Sequence, residues 1–263
     1  MRLCINLVVL SSWVLSAYAS AINVNLGTAD PFAVLAGSTV TNTGATVIFG
    51  NVGISPGTAI TGFPPGIVSG VIHAADAVAL QAQSDLTTAY NSAAVQPCGT
   101  DLSGQNLGGL TLTPDVYCFT SSAQLTGTLI LNAQGDPNAV FLFQVGSTLT
   151  TASSSSVLFI NGGRSDNVFY QVGSSATLGT DTAFAGNILA LTSITLNTGA
   201  SIDCGRALAR NGAVTMDTNS VSIGAAGSCD VGASPVPEPS TASLLLLIGA
   251  PSLLLLRRLK SFR

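Results

Sequence analysis

The segment Ala176-Thr177-Leu178-Gly179-Thr180 recurs with substitutions as Ile194-Thr195-Leu196-Asn197-Thr198 and again as Val214-Thr215-Met216-Asp217-Thr218. A fourth copy, Ser147-Thr148-Leu149-Thr150-Thr151, precedes them. The leading threonines lie 29, 18 and 20 residues apart, so the repeat has no fixed length. Short β-rich segments of this kind, separated by glycine, asparagine and serine, are typical of the stacked coils of a β-solenoid.

Within each repeat, threonine alternates with an apolar residue. Successive side chains of a strand point to opposite faces of a sheet, so each column of equivalent residues has one direction. The column predicted to point into the core contains Leu149, Leu178, Leu196 and Met216. The column predicted to point outward contains Thr148, Thr177, Thr195 and Thr215. The pattern leaves open the direction of a further column near the predicted turns, which contains Thr151, Thr180, Thr198 and Thr218.

Residues 73–94 interrupt the β pattern. This stretch is rich in alanine and contains no glycine or proline, which favours a helix. Apolar residues recur on one face at helical spacing, namely Ala75, Val78, Ala79, Ala82, Leu86, Ala89 and Tyr90. We therefore predict a helix of about 20 residues, about 30 Å long, lying along one side of the solenoid.

The composition excludes several classes of function. Of the 263 residues, 47% are hydrophobic and only 8% are charged, compared with about 25% charged residues in ordinary soluble domains. Between residues 22 and 237 the chain has three arginines, eleven aspartates and no lysine. Because nucleic-acid binding depends on a basic surface, it is excluded here. The exposed surface is expected to consist largely of Thr, Ser, Asn, Ala and Gly.

Both ends of the chain carry targeting patterns. A basic start, an apolar run and a small-residue cleavage pattern predict a signal peptide over residues 1–19, with a short N-terminal anchor as the alternative. Residues 235–263 contain Pro237-Glu238-Pro239, an apolar run over 242–256 and a basic end. This arrangement resembles the PEP-CTERM sorting signal of Gram-negative bacteria. The resemblance implies processing by an exosortase, transient membrane contact through the termini, and delivery to the cell surface or the extracellular matrix.

Cysteine usage agrees with export. The domain predicted between these signals, residues 22–234, has four cysteines, and four cysteines allow three pairings. We favour Cys98–Cys118 and Cys204–Cys229. Because there is one histidine and no Cys-x-x-Cys spacing, no metal site and no cofactor are expected.

Blocks spread over residues 26–223 resemble the ice-binding protein family. They include Gly50-Asn51-Val52-Gly53-Ile54-Ser55-Pro56-Gly57, Thr113-Pro114-Asp115-Val116-Tyr117-Cys118, Tyr170-Gln171-Val172-Gly173 and Cys204-Gly205-Arg206-Ala207-Leu208-Ala209. The resemblance implies a mostly β fold, a right-handed discontinuous β-solenoid of triangular cross-section with the long helix packed along a face. It also implies that the first coil pairs beside the last, and that one flat face adsorbs to ice.

The candidate ice-binding residues are the outward and turn-proximal threonines of the repeats together with those of Thr43-Gly44-Ala45-Thr46, which matches a Thr-Ala/Gly-x-Thr/Asn pattern found in some family members. They are Thr43, Thr46, Thr148, Thr151, Thr177, Thr180, Thr195, Thr198, Thr215 and Thr218. Threonine suits this role because it presents a methyl and a hydroxyl group on a stiff side chain, and because bridging water can form part of an interface.

An enzymatic function is not expected, because the acids are scattered singly, lysine is absent from the domain, and His73 begins the predicted helix. The sequence thus predicts a secreted or surface-attached, monomeric ice-binding protein. The alternative of a different class is a surface adhesin or matrix protein that binds polysaccharide or other cells. Exposed aromatic stripes would favour the adhesin, whereas a flat aliphatic and threonine-rich face would favour ice.

Overall fold

The computed structural model describes residues 24–224, and the predicted signals at both termini, with Cys229, lie outside them. The described chain is mostly β, with one long helix and parallel sheets, as predicted. The strands are β1 (Phe32–Ala36), β2 (Thr39–Asn42), β3 (Val47–Phe49), β4 (Asn51–Ile54), β5 (Ala59–Thr61), β6 (Ile67–Val68), β7 (Ile72–Ala74), β8 (Thr100–Asp101), β9 (Thr111–Leu112), β10 (Asp115–Phe119), β11 (Ala123–Leu125), β12 (Thr128–Asn132), β13 (Phe141–Val145), β14 (Leu149–Thr151), β15 (Ser156–Ile160), β16 (Val168–Val172), β17 (Ala176–Leu178), β18 (Ala183–Ala190), β19 (Ile194–Leu196), β20 (Ser201–Ala209), β21 (Val214–Met216) and β22 (Ser220–Ser222). The helix is α1 (Ala77–Ala94), and two short 3-10 turns span Gly27–Ala29 and Ser165–Asn167.

Seven strands form a separate parallel sheet in the order β11-β14-β17-β19-β21-β2-β5, which we call the threonine sheet. The other fifteen strands form a second sheet with two rows. The helix-side row runs β8-β10-β13-β16-β18-β20-β1-β4-β7, and the outer row runs β9-β12-β15-β18-β20-β22-β3-β6. The long strands β18 and β20 belong to both rows, because their first halves pair in the outer row and their second halves in the helix-side row.

The first strands of the chain pair beside the last ones, as the family resemblance implies. In the threonine sheet β2 lies between β21 and β5, and in the helix-side row β1 lies between β20 and β4. The Arg206 guanidinium stabilises this junction between β20 and the segment before β1. It is buried and donates to the Asp30 carbonyl at 2.7 Å, to the Asp30 carboxylate at 2.8 Å and to Asn187 Oδ1 at 2.8 Å.

The helix covers the helix-side row. It begins at Ala77, four residues after His73, because the Asp76 carboxylate accepts a hydrogen bond from the Ala79 N–H and so caps the first turn. The buried residues of α1 are Ala79, Ala82, Gln83, Leu86, Ala89, Tyr90 and Ala93. Two residues predicted for this face are exposed: Val78 lies in the first turn, and Ala75 precedes the helix. No helix among residues 24–224 is both long and apolar enough to cross a membrane.

The core between the rows contains a column of aromatic rings. Tyr117, Phe143 and Tyr170 stack with centroid distances of 5.3 and 4.7 Å, and Phe184 lies 4.7 Å beyond Tyr170. A disulfide joins Cys98 to Cys118, as predicted, with their Cα atoms 5.9 Å apart. This bond ties the segment after α1 to β10. The packed core and the covering helix hold the threonine sheet on a rigid support.

Candidate functional site

The outward face of the threonine sheet carries one side chain from every strand in a single column. Each member is in register with the next one along the sheet. In the order of the strands they are Gln124, Thr150, Thr177, Thr195, Thr215, Thr41 and Thr61. Adjacent strands of a sheet lie about 4.8 Å apart, so the six threonines present methyl and hydroxyl groups at that spacing. We call this set the central column.

The threonines of the central column face solvent. All seven side chains are exposed or half-buried, whereas the residues on either side of them along each strand of the repeats are buried, for example Ile194 and Leu196 around Thr195. None of the six threonine hydroxyls has a hydrogen-bond partner within residues 24–224. The column therefore presents six hydroxyl groups and no ionisable group to water.

A flanking column of small side chains lies two residues earlier on the same strands. Here hydroxyl groups bond to neighbouring strands: Ser122 pairs with Thr148 at 2.8 Å, and the Ser193 hydroxyl accepts from the Ala213 N–H at 3.1 Å. Beside them, Thr39 is in register with Ala59. These positions add no charge, so the uncharged surface is at least two columns wide.

The acid Asp217 lies at the edge of this face, and Asp181 lies at the same edge in the turn after β17. The Asp217 carboxylate accepts hydrogen bonds from the Thr198 hydroxyl at 2.6 Å and from the Thr218 hydroxyl at 3.1 Å. These bonds, the one from Thr198 first, hold the pKa of Asp217 below its ordinary value of 3.8. The carboxylate is therefore ionised at neutral pH, and its charge is engaged by the hydroxyl groups around it.

Two of the predicted contact residues are wrong because they are buried. Thr46 is fully buried, donates to Asn42 Oδ1 and accepts from the Asn219 N–H at 3.0 Å. Thr151 is 2% exposed, and its hydroxyl lies 2.8 Å from both the Thr182 hydroxyl and the Gly179 N–H. Both hydroxyl groups satisfy polar atoms at corners of the fold and cannot reach an external surface.

The alignment of the first repeat is also wrong, by two residues. Leu149 pairs with Ala176 and Thr150 pairs with Thr177, so Thr150 belongs to the central column and Thr148 to the flanking column. Because a two-residue shift preserves the direction of a side chain, Thr148 still faces the same side. Thr177, Thr195 and Thr215 lie in the central column itself.

The remaining predicted threonines lie beyond the ends of the strands. Thr180, Thr198 and Thr218 are exposed in the turns that follow β17, β19 and β21, and Thr43 is exposed just after β2. The predicted contact residues did not include Thr41, Thr61, Gln124 and Thr150. For Thr41 and Thr61 the sequence offered a signal in the threonine-containing segments Thr39-Val40-Thr41 and Thr58-Ala59-Ile60-Thr61. These threonines join the central column because β2 pairs with β21 and β5 pairs with β2.

The helix-side row and the outer row differ from the threonine sheet. The helix-side row is covered by α1. The outer row carries large exposed apolar side chains, with Phe49 51% and Leu158 52% exposed. It also carries the acid Asp203, and burial raises the pKa of this carboxyl group. His73 does not begin the helix, as predicted, but lies in β7, where its Nδ1 is 2.7 Å from the carboxylate of Asp76, the residue that caps α1.

Comparison with known proteins agrees with this geometry. A family model described as "Ice-binding-like" matches residues 34–222. An ice-binding protein of Nostoc sp. (strain HG1) is 58% identical over 257 residues, which cover 98% of this chain and 94% of that protein. The solved structure of an ice-binding protein from an Antarctic biological consortium has 51% identity and a TM-score of 0.75 over 78% of this chain and 93% of its own. That of the ascomycete Antarctomyces psychrotrophicus has 42% identity and a TM-score of 0.75, covering 77% and 98%.

Proposed function

The chain belongs to the ice-binding family, and from this premise we propose that it binds ice through the outward face of the threonine sheet, where it inhibits ice growth or recrystallisation. The observation that carries the proposal is the central column, in which seven side chains are in register on one parallel sheet and none is ionisable. Ice offers neither charges to pair with nor a pocket to fill, and its surface is a periodic array of water molecules.

The chemistry of the column suits such a surface. Methyl groups favour an ordered water layer, and hydroxyl groups can bond to that layer as bridging water does in other interfaces. Threonine is stiff at χ1, and the buried neighbours on both sides of Thr195 fix its strand, so little conformational entropy is lost on adsorption. Many weak contacts can therefore sum to stable adsorption. Ice that grows between adsorbed molecules has a curved front, and a curved front is harder to extend.

The same proposal includes the form and location of the protein. We infer that the three rows of strands wind as a right-handed solenoid of triangular cross-section, with the threonine sheet as one flat side. The predicted domain, residues 22–234, would be exported as a monomer, be processed by an exosortase at the PEP-CTERM-like signal, and reach the surface of a Gram-negative bacterium. We further propose that it acts by adsorption alone, without a catalysed step.

The adhesin alternative is not favoured. It depends on exposed aromatic stripes, and among the large apolar side chains exposed within residues 24–224 Phe49 alone is aromatic. All three arginines of the domain have structural contacts. Arg206 is buried at the junction of the first and last strands, Arg210 lies over the Tyr90 ring at 4.7 Å, and Arg164 pairs with the Asp166 carboxylate at 3.0 Å.

The test is crystal shaping and thermal hysteresis measured with Thr195→Tyr. Thr195 lies on the middle strand of the threonine sheet. A bulky phenol at this position would prevent the threonines on the neighbouring strands on both sides from contacting ice. The matched control is Thr111→Tyr, which changes an exposed strand threonine of the outer row. We expect the purified domain to reshape ice at micromolar concentration, Thr195→Tyr to lose most of this activity, and Thr111→Tyr to keep it.

Unfolding curves of both variants check that the fold is retained. Round ice discs identical to those grown in buffer, obtained with the folded unmodified domain, would overturn the proposal. Loss of activity in Thr111→Tyr with retention in Thr195→Tyr would transfer the function to the outer row.

A further inference from the structure

The three rows of strands end together in one turn of the chain. β5 ends the threonine sheet, β6 ends the outer row and β7 ends the helix-side row. Within residues 24–224 each of them pairs with one neighbour only, β2, β3 and β4 respectively, so its other edge is open. We call residues 56–75, which contain β5, β6 and β7, the terminal coil. Open strand edges of this kind pair readily with further strands.

The apolar core is open at the terminal coil. Three of its side chains are in register with fully buried side chains of the neighbouring coil: Ile60 with Val40, Val68 with Ile48, and Ile72 with Val52. Side chains in register point the same way, so the terminal coil adds one more layer to the core. Ile72 is nevertheless 44% exposed, and Ile60 and Val68 are half-buried. No further layer of strands covers them within residues 24–224.

Exposed apolar side chains surround this open core. Ile67 on β6 is 63% exposed, and Val71, just before β7, is 57% exposed. Val78 and Leu80 are also exposed, in the first turn of α1, which follows β7 directly along the chain. An exposed apolar patch of this kind marks an interaction surface. Terminal coils that stay in water normally have a polar outer side instead.

The terminal coil carries almost no charge, although the protein is acidic. Residues 31–75 contain no Asp, Glu, Lys or Arg. The next acid along the chain, Asp76, accepts from the Ala79 N–H and lies 2.7 Å from His73 Nδ1. Like charges that meet across an interface oppose association. Two copies of this acidic chain can therefore approach through the terminal coil with little repulsion.

The opposite end of the rows, at β8, β9 and β11, has a different character. Leu102 and Leu107, between β8 and β9, are only 6% and 1% exposed, so the core is better covered there. The Asn106 side chain accepts from the Thr126 N–H at 3.0 Å beside β11, and Asp101 is exposed on β8. This polar end does not complement the apolar terminal coil.

We propose that the terminal coil is the interface of a homodimer, in which two copies meet end to end about a two-fold axis and each open core covers the other. A second terminal coil presents the same three open edges and the same apolar centre, which makes the surface self-complementary. Between residues 56 and 80, all but Gly66 and Ala79 are exposed or half-buried. That number of residues is close to the roughly 20–30 a side of a standard interface.

The pairing leaves the outward face of the threonine sheet free. The interface lies at the end of the rows, whereas the central column faces outward along them, so both columns of the pair stay accessible. Single chains are exported and fold first, and the pair forms from two folded chains. The accessibility of two ice-binding faces rests on the proposed function, whereas the pairing itself does not.

The first measurement is sedimentation velocity of the full chain in mild detergent at micromolar concentration. We expect a dimer that dissociates on dilution. Ile67→Glu should weaken this association about tenfold or more, because each copy then brings a carboxylate into an apolar interface. The matched control is Ile160→Glu, which changes an isoleucine that is 39% exposed on β15 of the same row and should keep the dimer.

Thermal melts check that both variants are folded, and Val71→Glu replaces Ile67→Glu if the latter is not. A chain that is monomeric at every concentration overturns the proposal. So does a dimer that persists in the folded variant of the terminal coil, or one that Ile160→Glu also abolishes. Assemblies of more than two copies would mean that the terminal coil binds the opposite end, and they overturn the two-fold pairing.

The second measurement is amide hydrogen exchange of the full chain well above and well below its dissociation constant. We expect residues 67–72 to exchange about tenfold more slowly when about nine tenths of the chains are paired, because exchange then proceeds through the free chain. The amides of β9 at the opposite end should exchange equally at both concentrations. Protection of residues 67–72 that does not change with concentration would mean that the same chain covers its own terminal coil, and it overturns the proposal. Neither measurement involves ice, so its failure is distinct from failure of the proposed function.

Discussion

At the scale of single residues, neighbouring threonines of β14 have opposite roles. The Thr150 side chain lies in the central column, whereas the Thr151 hydroxyl bonds to the Thr182 hydroxyl and the Gly179 N–H inside the fold. We expect Thr150→Tyr to reduce ice shaping with an unchanged unfolding midpoint. Thr151→Ala should instead lower the free energy of unfolding by about 1–3 kcal/mol, because it leaves a buried N–H unpaired, and leave ice shaping intact. Urea unfolding and ice-crystal imaging of both variants separate the two roles, and a reversed result would contradict the register.

The buried Tyr170 offers a second prediction at this scale. Its ring stacks on Phe143 and contacts the tilted ring of Phe184, and its hydroxyl has no hydrogen-bond partner within residues 24–224. Burial raises the pKa of this phenol well above its ordinary value, so it stays neutral. Tyr170→Phe keeps the ring and removes an unpaired polar group, so we expect the free energy of unfolding to stay the same or rise by about 1 kcal/mol. Tyr117→Phe is the control, because the Tyr117 hydroxyl donates to the Thr113 carbonyl. A clear loss of stability in Tyr170→Phe would mean that its hydroxyl is paired.

At the scale of elements, the capping of α1 predicts a pH dependence of stability. The pKa of Asp76 is lowered, first by the Ala79 N–H and then by His73. A carboxylate with a lowered pKa stabilises the fold above its ordinary value of 3.8 and loses that stabilisation as the pH falls through its folded value. At pH 7 we expect Asp76→Ala to melt at a lower temperature than the unmodified protein, and Asp76→Asn, which can still cap, to melt close to it. Below about pH 4, thermal melts of Asp76→Asn should change less with pH than those of the unmodified protein. If the melting temperatures of both proteins change equally with pH in this range, Asp76 does not contribute to the loss of stability in acid.

The elements themselves could be predicted because their signals are local. Alanine content and helical spacing located α1 to within four residues at its start, and the repeats of threonine and leucine located β17, β19 and β21. The registry between elements is not a local property. Pairing of Thr41 with Thr215 joins residues 174 positions apart, so the sequence pattern could not place it. The burial of the Thr151 and Thr46 side chains likewise depends on polar partners that are distant in sequence, Thr182 for Thr151 and Asn219 for Thr46.

At the scale of the whole molecule, the distribution of charge predicts that ice activity is insensitive to pH. The acids lie off the central column: Asp203 is on the outer row, Asp76 and Asp85 are at α1, and Asp217 is at the edge of the threonine sheet. The Thr198 and Thr218 hydroxyls hold the pKa of Asp217 low, so its charge is constant above pH 4. Adsorption through uncharged methyl and hydroxyl groups has no titration step in that range. Thermal hysteresis of the folded domain should therefore be constant between about pH 5 and about pH 9, and Asp217→Asn should follow the same flat profile.

A sigmoidal profile that Asp217→Asn abolishes would show that the edge acid takes part in ice binding. A sigmoid that persists in this variant would instead assign the titration to a group other than Asp217, and the central column would no longer suffice as the ice contact.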